Sequence, residues 1–240
     1  YGTVIILGEN TDKNMVDYTY IEILVEDKSG SVLIEHIMEK YASDNRKIGY
    51  KINSFKGIGK IPGKLKSASQ IKTHRLLTDL PLYLRGMDSY LKNMYGKKAI
   101  FVVLDSDDED CGELKQNLIN MYQSLKLTVP VFFCIAIEEM EAWLLGDKEA
   151  LLKAYPFAKK QVLQKYVPDS IVGTWEVMAD IVYKGGIHAL KRNAASYYEI
   201  GKFKCECAAS IGKYLDIRKN ESPSFNYFIS KLDYVCSGST

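Results

Sequence analysis

Residues 99–110, AIFVVLDSDDED, decide how the rest of the chain is read. The first six form an unbroken apolar run rich in β-branched and aromatic side chains, the pattern of a strand buried on both faces of a parallel sheet. The run then stops in five acids among six residues, Asp105 to Asp110. Carboxylates crowded at the end of a buried strand repel one another, and something must offset that charge. Asp105 and Asp107 lie two apart and point the same way in extended chain. Two hard oxygen donors at a carboxyl strand end suit Mg²⁺. The helix expected over residues 112–125 also points its N-terminus here, and Asp108 to Asp110 charge its start.

Two other strand patterns end the same way. Residues 18–25 (YTYIEILV) run into Glu26 and Asp27, then into a helical pattern with Leu33, Ile34, Ile37, Met38 and Tyr41 on one face. Residues 129–137 run into Glu138, Glu139, Met140 and Glu141, where Glu138 and Glu141 share a face of the helix expected to start there. Residues 48–52 read as a further strand, 76–95 as a helix and 2–8 as a short apolar run. This alternation predicts an α/β fold, a mostly parallel sheet flanked by helices. The strands at 21–25, 99–104 and 131–137 are expected at its centre, side by side, with the site at their C-terminal edge. Residues 148–240 read as mainly helical, which divides the chain into an α/β part over 1–147 and a helical region over 148–240 packed on it.

The chain has 240 residues, 47% hydrophobic and 26% charged, enough for a sizeable core. Its net charge of +2 supplies no global attraction for a polyanion, so any such attraction must be local. Residues 56–66 hold three glycines and four lysines and lack the spacing of a Walker A loop. They read either as a solvated loop or as a grip on a phosphate backbone through Lys56, Lys60 and Lys64. Residues 184–204 interleave Lys184, Lys191, Arg192, Lys202 and Lys204 with Tyr197, Tyr198 and Phe203. That mixture suits either base stacking or a solvated helical face. Five scattered cysteines, with no zinc-site spacing and no signal peptide, point to a reduced cytoplasmic protein. No apolar run is long enough to span a membrane. His36, His74 and His188 are isolated, which argues against a histidine metal site.

Leu24-Val25-Glu26-Asp27-Lys28-Ser29 and Leu104-Asp105-Ser106-Asp107 together resemble a Toprim domain, the metal-dependent fold of topoisomerases, primases and overcoming-lysogenization-defect nucleases. Glu26 matches that family's glutamate, and Asp105 and Asp107 its Asp-x-Asp. Asp27 stands where a glycine is usual. A narrower resemblance runs over roughly residues 20–232. It is carried by Ile58 to Pro62, Asp110 to Lys115, Glu138 to Leu145, Gly173 to Glu176 and Asn220 to Phe225, in that order. These are similar to the Toprim-like bacterial family of unknown function numbered 4276. The resemblance implies a doubly wound sheet with a helical C-terminal region. It also implies a bacterial setting beside an ATPase, in antiviral defence or mobile-element loci.

The reaction expected from these residues is metal-dependent hydrolysis of a nucleic-acid phosphodiester. Asp105 and Asp107 would hold Mg²⁺ or Mn²⁺, with Glu138 or Glu141 as a further ligand. Glu26 would be a second metal ligand or the general base. Lys204 would offset transition-state charge. Asn220, Ser222 and Ser224 would bind phosphate or build a turn and helix cap. The partners expected are DNA or RNA, an ATPase and a second copy of the chain, without a membrane. The competing reading is a regulatory or binding subunit of an ATPase-containing complex, weak or inactive alone.

Overall fold

The structure is a computed structural model that describes residues 18–44, 47–62, 73–107, 111–170 and 173–237. Four strands are found, β1 (Thr19–Val25), β2 (Ile48–Ser54), β3 (Lys97–Asp105) and β4 (Val131–Ala136). They form one sheet in the order β2-β1-β3-β4, and every neighbouring pair is parallel. Helices α1 (Lys28–Asp44), α2 (Leu76–Leu91) and α3 (Cys111–Leu125) make the crossovers. The apolar run at residues 2–8 lies outside the described residues.

Alternation along the strands explains how the layers assemble. Ile21, Ile23 and Val25 of β1, with Ala99, Phe101 and Val103 of β3, pack on Leu33, Ile34, Ile37 and Met38 of α1. Leu24, Ile100, Val102 and Leu104 point the other way, onto Leu76, Leu80 and Leu84 of α2 and Leu114 and Leu118 of α3. Both faces of β3 are therefore apolar, as a parallel sheet requires, and so is the α1 side of β1; the other side of β1 sets a buried Glu22 beside Leu24, its carboxylate accepting hydrogen bonds from Tyr20, Asn53 and Tyr90. Burying each such apolar side chain contributes about 1.5–3 kcal/mol. With α1 on one face and α2 and α3 on the other, the face beneath β3 and β4 on the α1 side has no crossover helix.

The C-terminal helices fill that place. They are α4 (Glu141–Leu145), α5 (Lys148–Ala154), α6 (Lys160–Lys165), α7 (Thr174–Val182), α8 (Gly186–Asn193), α9 (Tyr197–Gly212) and α10 (Pro223–Ser237). Phe225, Phe228, Ile229 and Leu232 of α10 join the same core as β3. Phe228 meets Phe101 edge-on at 5.6 Å and lies against Trp143 of α4 at 5.4 Å.

One expectation needs correcting. Among the described residues β4 is the edge strand of this sheet, not a central one, and its first residues, Val131 and Phe132, are only half-buried. Its buried end, Phe133 to Ala136, is sandwiched between helices, which is why the segment reads like a central strand. Among the described residues no helix is long and apolar enough to cross a membrane, and the five cysteines form no disulfide.

Candidate functional site

The sheet order places β2 and β3 on opposite sides of β1, so α1 and α2 leave on opposite faces. A crevice at such a reversal, outside the carboxyl ends of the strands, is where open α/β sheets bind ligands. Here it is lined with acids. Glu26 follows β1 directly, and its backbone N–H donates to the Val103 carbonyl at 3.2 Å. Its carboxylate Oε2 accepts the Asp105 N–H at 3.2 Å, which ties the ends of β1 and β3 together. Asp27 serves as the cap of α1: its Oδ1 accepts the Gly30 N–H and its Oδ2 the Ser29 hydroxyl, both at 2.7 Å.

The ends of β3 and β4 are locked through Ser106, whose hydroxyl accepts the Glu138 N–H at 2.7 Å. Asp107 donates its N–H to the Glu138 carbonyl at 2.9 Å. Both Asp107 (φ +46°) and Glu138 (φ +63°) are left-handed, an uncommon conformation for residues with a Cβ. The chain therefore leaves extended geometry after Asp105, and strand alternation does not govern where Asp107 points. Its charge nevertheless acts on Glu26.

Glu138 has another task. Its carboxylate accepts the N–H groups of Gly173 and Thr174 and the Thr174 hydroxyl, and so caps α7. Glu139 adds a bond from the Trp175 N–H at 2.9 Å. The expected sharing of a helix face by Glu138 and Glu141 fails because the helix starts only at Glu141 and Glu138 sits in the left-handed turn before it. The acids that β4 delivers to the crevice are Glu139 and Glu141.

Lys204 of α9 sits among these acids. Its ammonium lies 3.2 Å from Glu139 Oε1 and 3.1 Å from Glu141 Oε2. Burial alone would push that ammonium down; Glu141, Glu139 and Asp105 outweigh it and hold Lys204 above its ordinary value. One lysine does not balance the group. Burial, with Glu26 next in weight, raises Asp105 well above the usual carboxylate range. Burial also raises Glu26 to about 7, although the Asp105 N–H opposes it. Glu139 rises to about 7 through burial and the neighbouring Glu141. Glu141 itself is raised by burial, against the pull of Lys204.

The donor set suits a hard divalent cation such as Mg²⁺ or Mn²⁺, being all carboxylate oxygen. Asp105 Oδ1 is buried without a hydrogen-bond partner, an oxygen that either a proton or a cation would satisfy. Among the described residues no three His, Cys, Asp or Glu side chains are placed to hold an ion as they stand, and the Lys204 ammonium lies between the carboxylates instead. The residue types are those a hard cation takes, whereas their arrangement here surrounds the Lys204 ammonium, which supplies part of the neutralising charge.

Residues 25–233 match a domain of unknown function, DUF4276. The chain belongs to that family. Neither a curated protein nor a solved structure matches it. The DUF4276 match takes in every acid of the crevice and Lys204.

Other expected DUF4276 site residues lie elsewhere. Asn220, Ser222 and Ser224 are buried and committed. Asn220 Nδ2 donates to the Trp143 carbonyl at 2.7 Å, and Asn220 Oδ1 accepts the Ser222 N–H at 2.9 Å. The Ser222 hydroxyl and the Ser224 N–H donate to the Asp169 carboxylate. The Ser224 hydroxyl accepts the Trp143 indole N–H at 2.8 Å. These residues join α4 to the start of α10, and the phosphate role is corrected to the turn and cap.

The lysine loop, by contrast, reaches the site. The Gly57 N–H donates to the Glu26 carbonyl at 3.0 Å, and the Lys56 N–H to the His74 carbonyl at 2.8 Å. Lys56 therefore flanks the strand end that carries Glu26, Lys60 is held against α2 by its N–H to the Thr78 hydroxyl at 3.1 Å, and Lys64 lies outside the described residues. Sequence reasoning missed Arg75, whose guanidinium lies close beside Gly57, and assigned no role to Glu139 or Asp27. The signal for Glu139 was the Glu138-Glu139 pair itself, but only a helix boundary could choose between them.

Proposed function

We propose that this chain is a metal-dependent phosphodiesterase acting on nucleic acid, of Toprim type, in a bacterial antiviral-defence or mobile-element setting. The observation that carries this reading is the direct bond from Asp105 N–H to the Glu26 carboxylate at the reversal of strand order, beside an unpartnered Asp105 oxygen. Asp105, Asp107 and Glu141 would hold Mg²⁺ or Mn²⁺, which when bound supplies Lewis-acid polarisation of the phosphate and an activated water. Glu26, raised to about 7, is matched to take a proton from the attacking water near neutral pH. The new P–O bond forms as the bond to the leaving sugar oxygen breaks, and that oxygen takes up a proton. Lys204, oriented by Glu139 and Glu141, offsets charge on a non-bridging phosphate oxygen.

One observation favours a regulatory or binding subunit of an ATPase complex instead: Lys204 already neutralises part of the acidic group. Incubation of labelled DNA and RNA panels with Mg²⁺ or Mn²⁺, beside Glu26→Ala, separates the two. Cleavage by wild type that Glu26→Ala abolishes is the expected result. Metal binding without cleavage of any substrate would sink the nuclease reading in favour of the subunit.

A further inference from the structure

A second cavity, of about 520 Å³, opens between the ends of α7 and α8 and the first half of α9. Aromatic rings make up much of its wall: Tyr155, Tyr183, Tyr198 and Phe203. Tyr183 and Phe203 meet edge to face at 5.9 Å, so part of the wall is fixed by packing. Tyr198 is 80% exposed, an aromatic ring that the fold does not use. Asn193 and Ser196 add donors and acceptors of both senses. The charges cancel: Lys184 and Lys202 face Glu199 and Glu206, with Lys202 and Glu206 3.7 Å apart.

A neutral cavity with aromatic walls and a few polar groups does not select a phosphate. It selects a flat, polar, neutral group that can stack, which describes a nucleobase. Its place agrees. Phe203 and Lys204 are consecutive on α9, so their side chains diverge by about 100° around the helix. One lines this cavity and the other pairs with Glu139 and Glu141. The cavity and the acids thus lie on adjoining faces of one helix, the arrangement in which a phosphate at the acids and a neighbouring unpaired base in the cavity would belong to one strand.

Resting on the reading of this chain as acting on nucleic acid, we infer that the Tyr155–Tyr183–Tyr198–Phe203 cavity is a base-binding subsite and that the substrate is single-stranded at that point. The test measures binding apart from cleavage. Fluorescence anisotropy of a short labelled oligonucleotide, in EDTA and in an Asp105→Asn background, is compared for Tyr198, Tyr198→Ala and Tyr198→Trp. Tyr198 is exposed, so its removal leaves the fold intact. Stacking of one base sets the expected loss on Tyr198→Ala at about 5- to 150-fold, with Tyr198→Trp retaining affinity. Tyr197→Ala, which removes an equally exposed ring outside the cavity, should bind as the parent does. A duplex of the same sequence should bind without dependence on Tyr198.

Three results would overturn the subsite: no oligonucleotide binding at all, equal affinity of Tyr198→Ala and parent, or a free nucleoside monophosphate binding as tightly as the strand. Tyr198-dependent binding by a protein that cleaves nothing would retain the subsite and discard the nuclease. Cleavage by wild type that is unchanged in Tyr198→Ala, with equal binding, would do the reverse.

Discussion

The Lys204 ammonium lies 3.1 Å from Glu141 Oε2, and both side chains are largely withdrawn from water. Removing one partner of such a pair leaves the other charge buried and uncompensated, which costs about 3–5 kcal/mol. Lys204→Met should lower the stability of the metal-free protein by about that amount at pH 8. The loss should shrink at pH 5, where Glu26 and Glu139, raised to about 7, are already protonated. Mg²⁺ or Mn²⁺ should restore part of it by mass action. Denaturant titration at both pH values, with and without the ion, measures each part. An unchanged midpoint would mean that the acids do not depend on this lysine.

The wild-type protein should show the same chemistry without mutation. A carboxyl whose folded value is raised binds protons in the folded state that the unfolded state has released. Stability from Glu26 and Glu139 is therefore fullest below their ordinary 4.5 and falls as pH rises towards about 7. Asp88 and Asp233 act in the opposite sense: their values are depressed, so they cost stability only as pH falls below the ordinary 3.8. Metal-free protein should thus melt at higher temperature at pH 5 than at pH 8, and Glu26→Gln should flatten that difference. A melting temperature that climbs from pH 5 to 8 would contradict the arrangement.

Glu138 and Glu141, two of the three acids that follow β4, should separate by metal affinity. Glu138 fills the N-terminus of α7, so Glu138→Ala takes the carboxylate partner from the half-buried Gly173 N–H and the buried Thr174 N–H. Such a loss costs about 1–3 kcal/mol. Divalent-metal affinity, read by calorimetry, should change little. Glu141→Gln should weaken metal binding markedly and also lower stability in metal-free buffer, because it leaves the buried Lys204 ammonium with Glu139 as its remaining ion-pair partner among the described residues. Asn220→Ala belongs with Glu138→Ala: it frees the Trp143 carbonyl and the Ser222 N–H and should destabilise without touching nucleic-acid affinity.

What could be read from the sequence follows from the range of the physics involved. Apolar runs report burial, so β1, β3 and the helices around them were legible, and so were Glu26 and Asp105 as strand-end neighbours. Backbone reversals are not written in side-chain type. Nothing in Asp107 or Glu138 announces a left-handed residue, and those two turns decide which acids face the crevice. Lys204 is sequence-distant from every acid that it meets, so its central place depends on how α9 packs. Asn220, Ser222 and Ser224 carry the chemistry of both a phosphate site and a cap, and only burial distinguishes the two.

The loop at Lys56 and Lys60 should hold the substrate without taking part in the chemistry. Its backbone is fixed to the strand end by Gly57 N–H to Glu26 carbonyl, and to α2 by Leu76 N–H to Gly57 carbonyl, each at 3.0 Å. Gly59 (φ +71°) could not carry a Cβ there, because Thr78 Oγ1 and Arg75 Cβ would stand 2.5 and 2.7 Å from it. The lysines are thus presented by a defined turn, Lys56 next to the residue bonded to Glu26 and Lys60 against Thr78 of α2. Each phosphate that a lysine no longer neutralises reduces the salt dependence of binding by about 0.7 for a single strand and 0.9 for a duplex. Lys56→Ala with Lys60→Ala should therefore weaken binding and reduce the slope of log affinity against log salt by about 1.4–1.8. Single-turnover cleavage at saturating substrate should change far less, and Glu26→Ala should show the opposite pattern, with binding kept and cleavage lost. Gly59→Ala should resemble the double lysine variant, because it displaces the turn. A parallel salt series for wild type and the double variant would leave the lysines without a role in binding and shift the search for a phosphate grip to Arg75.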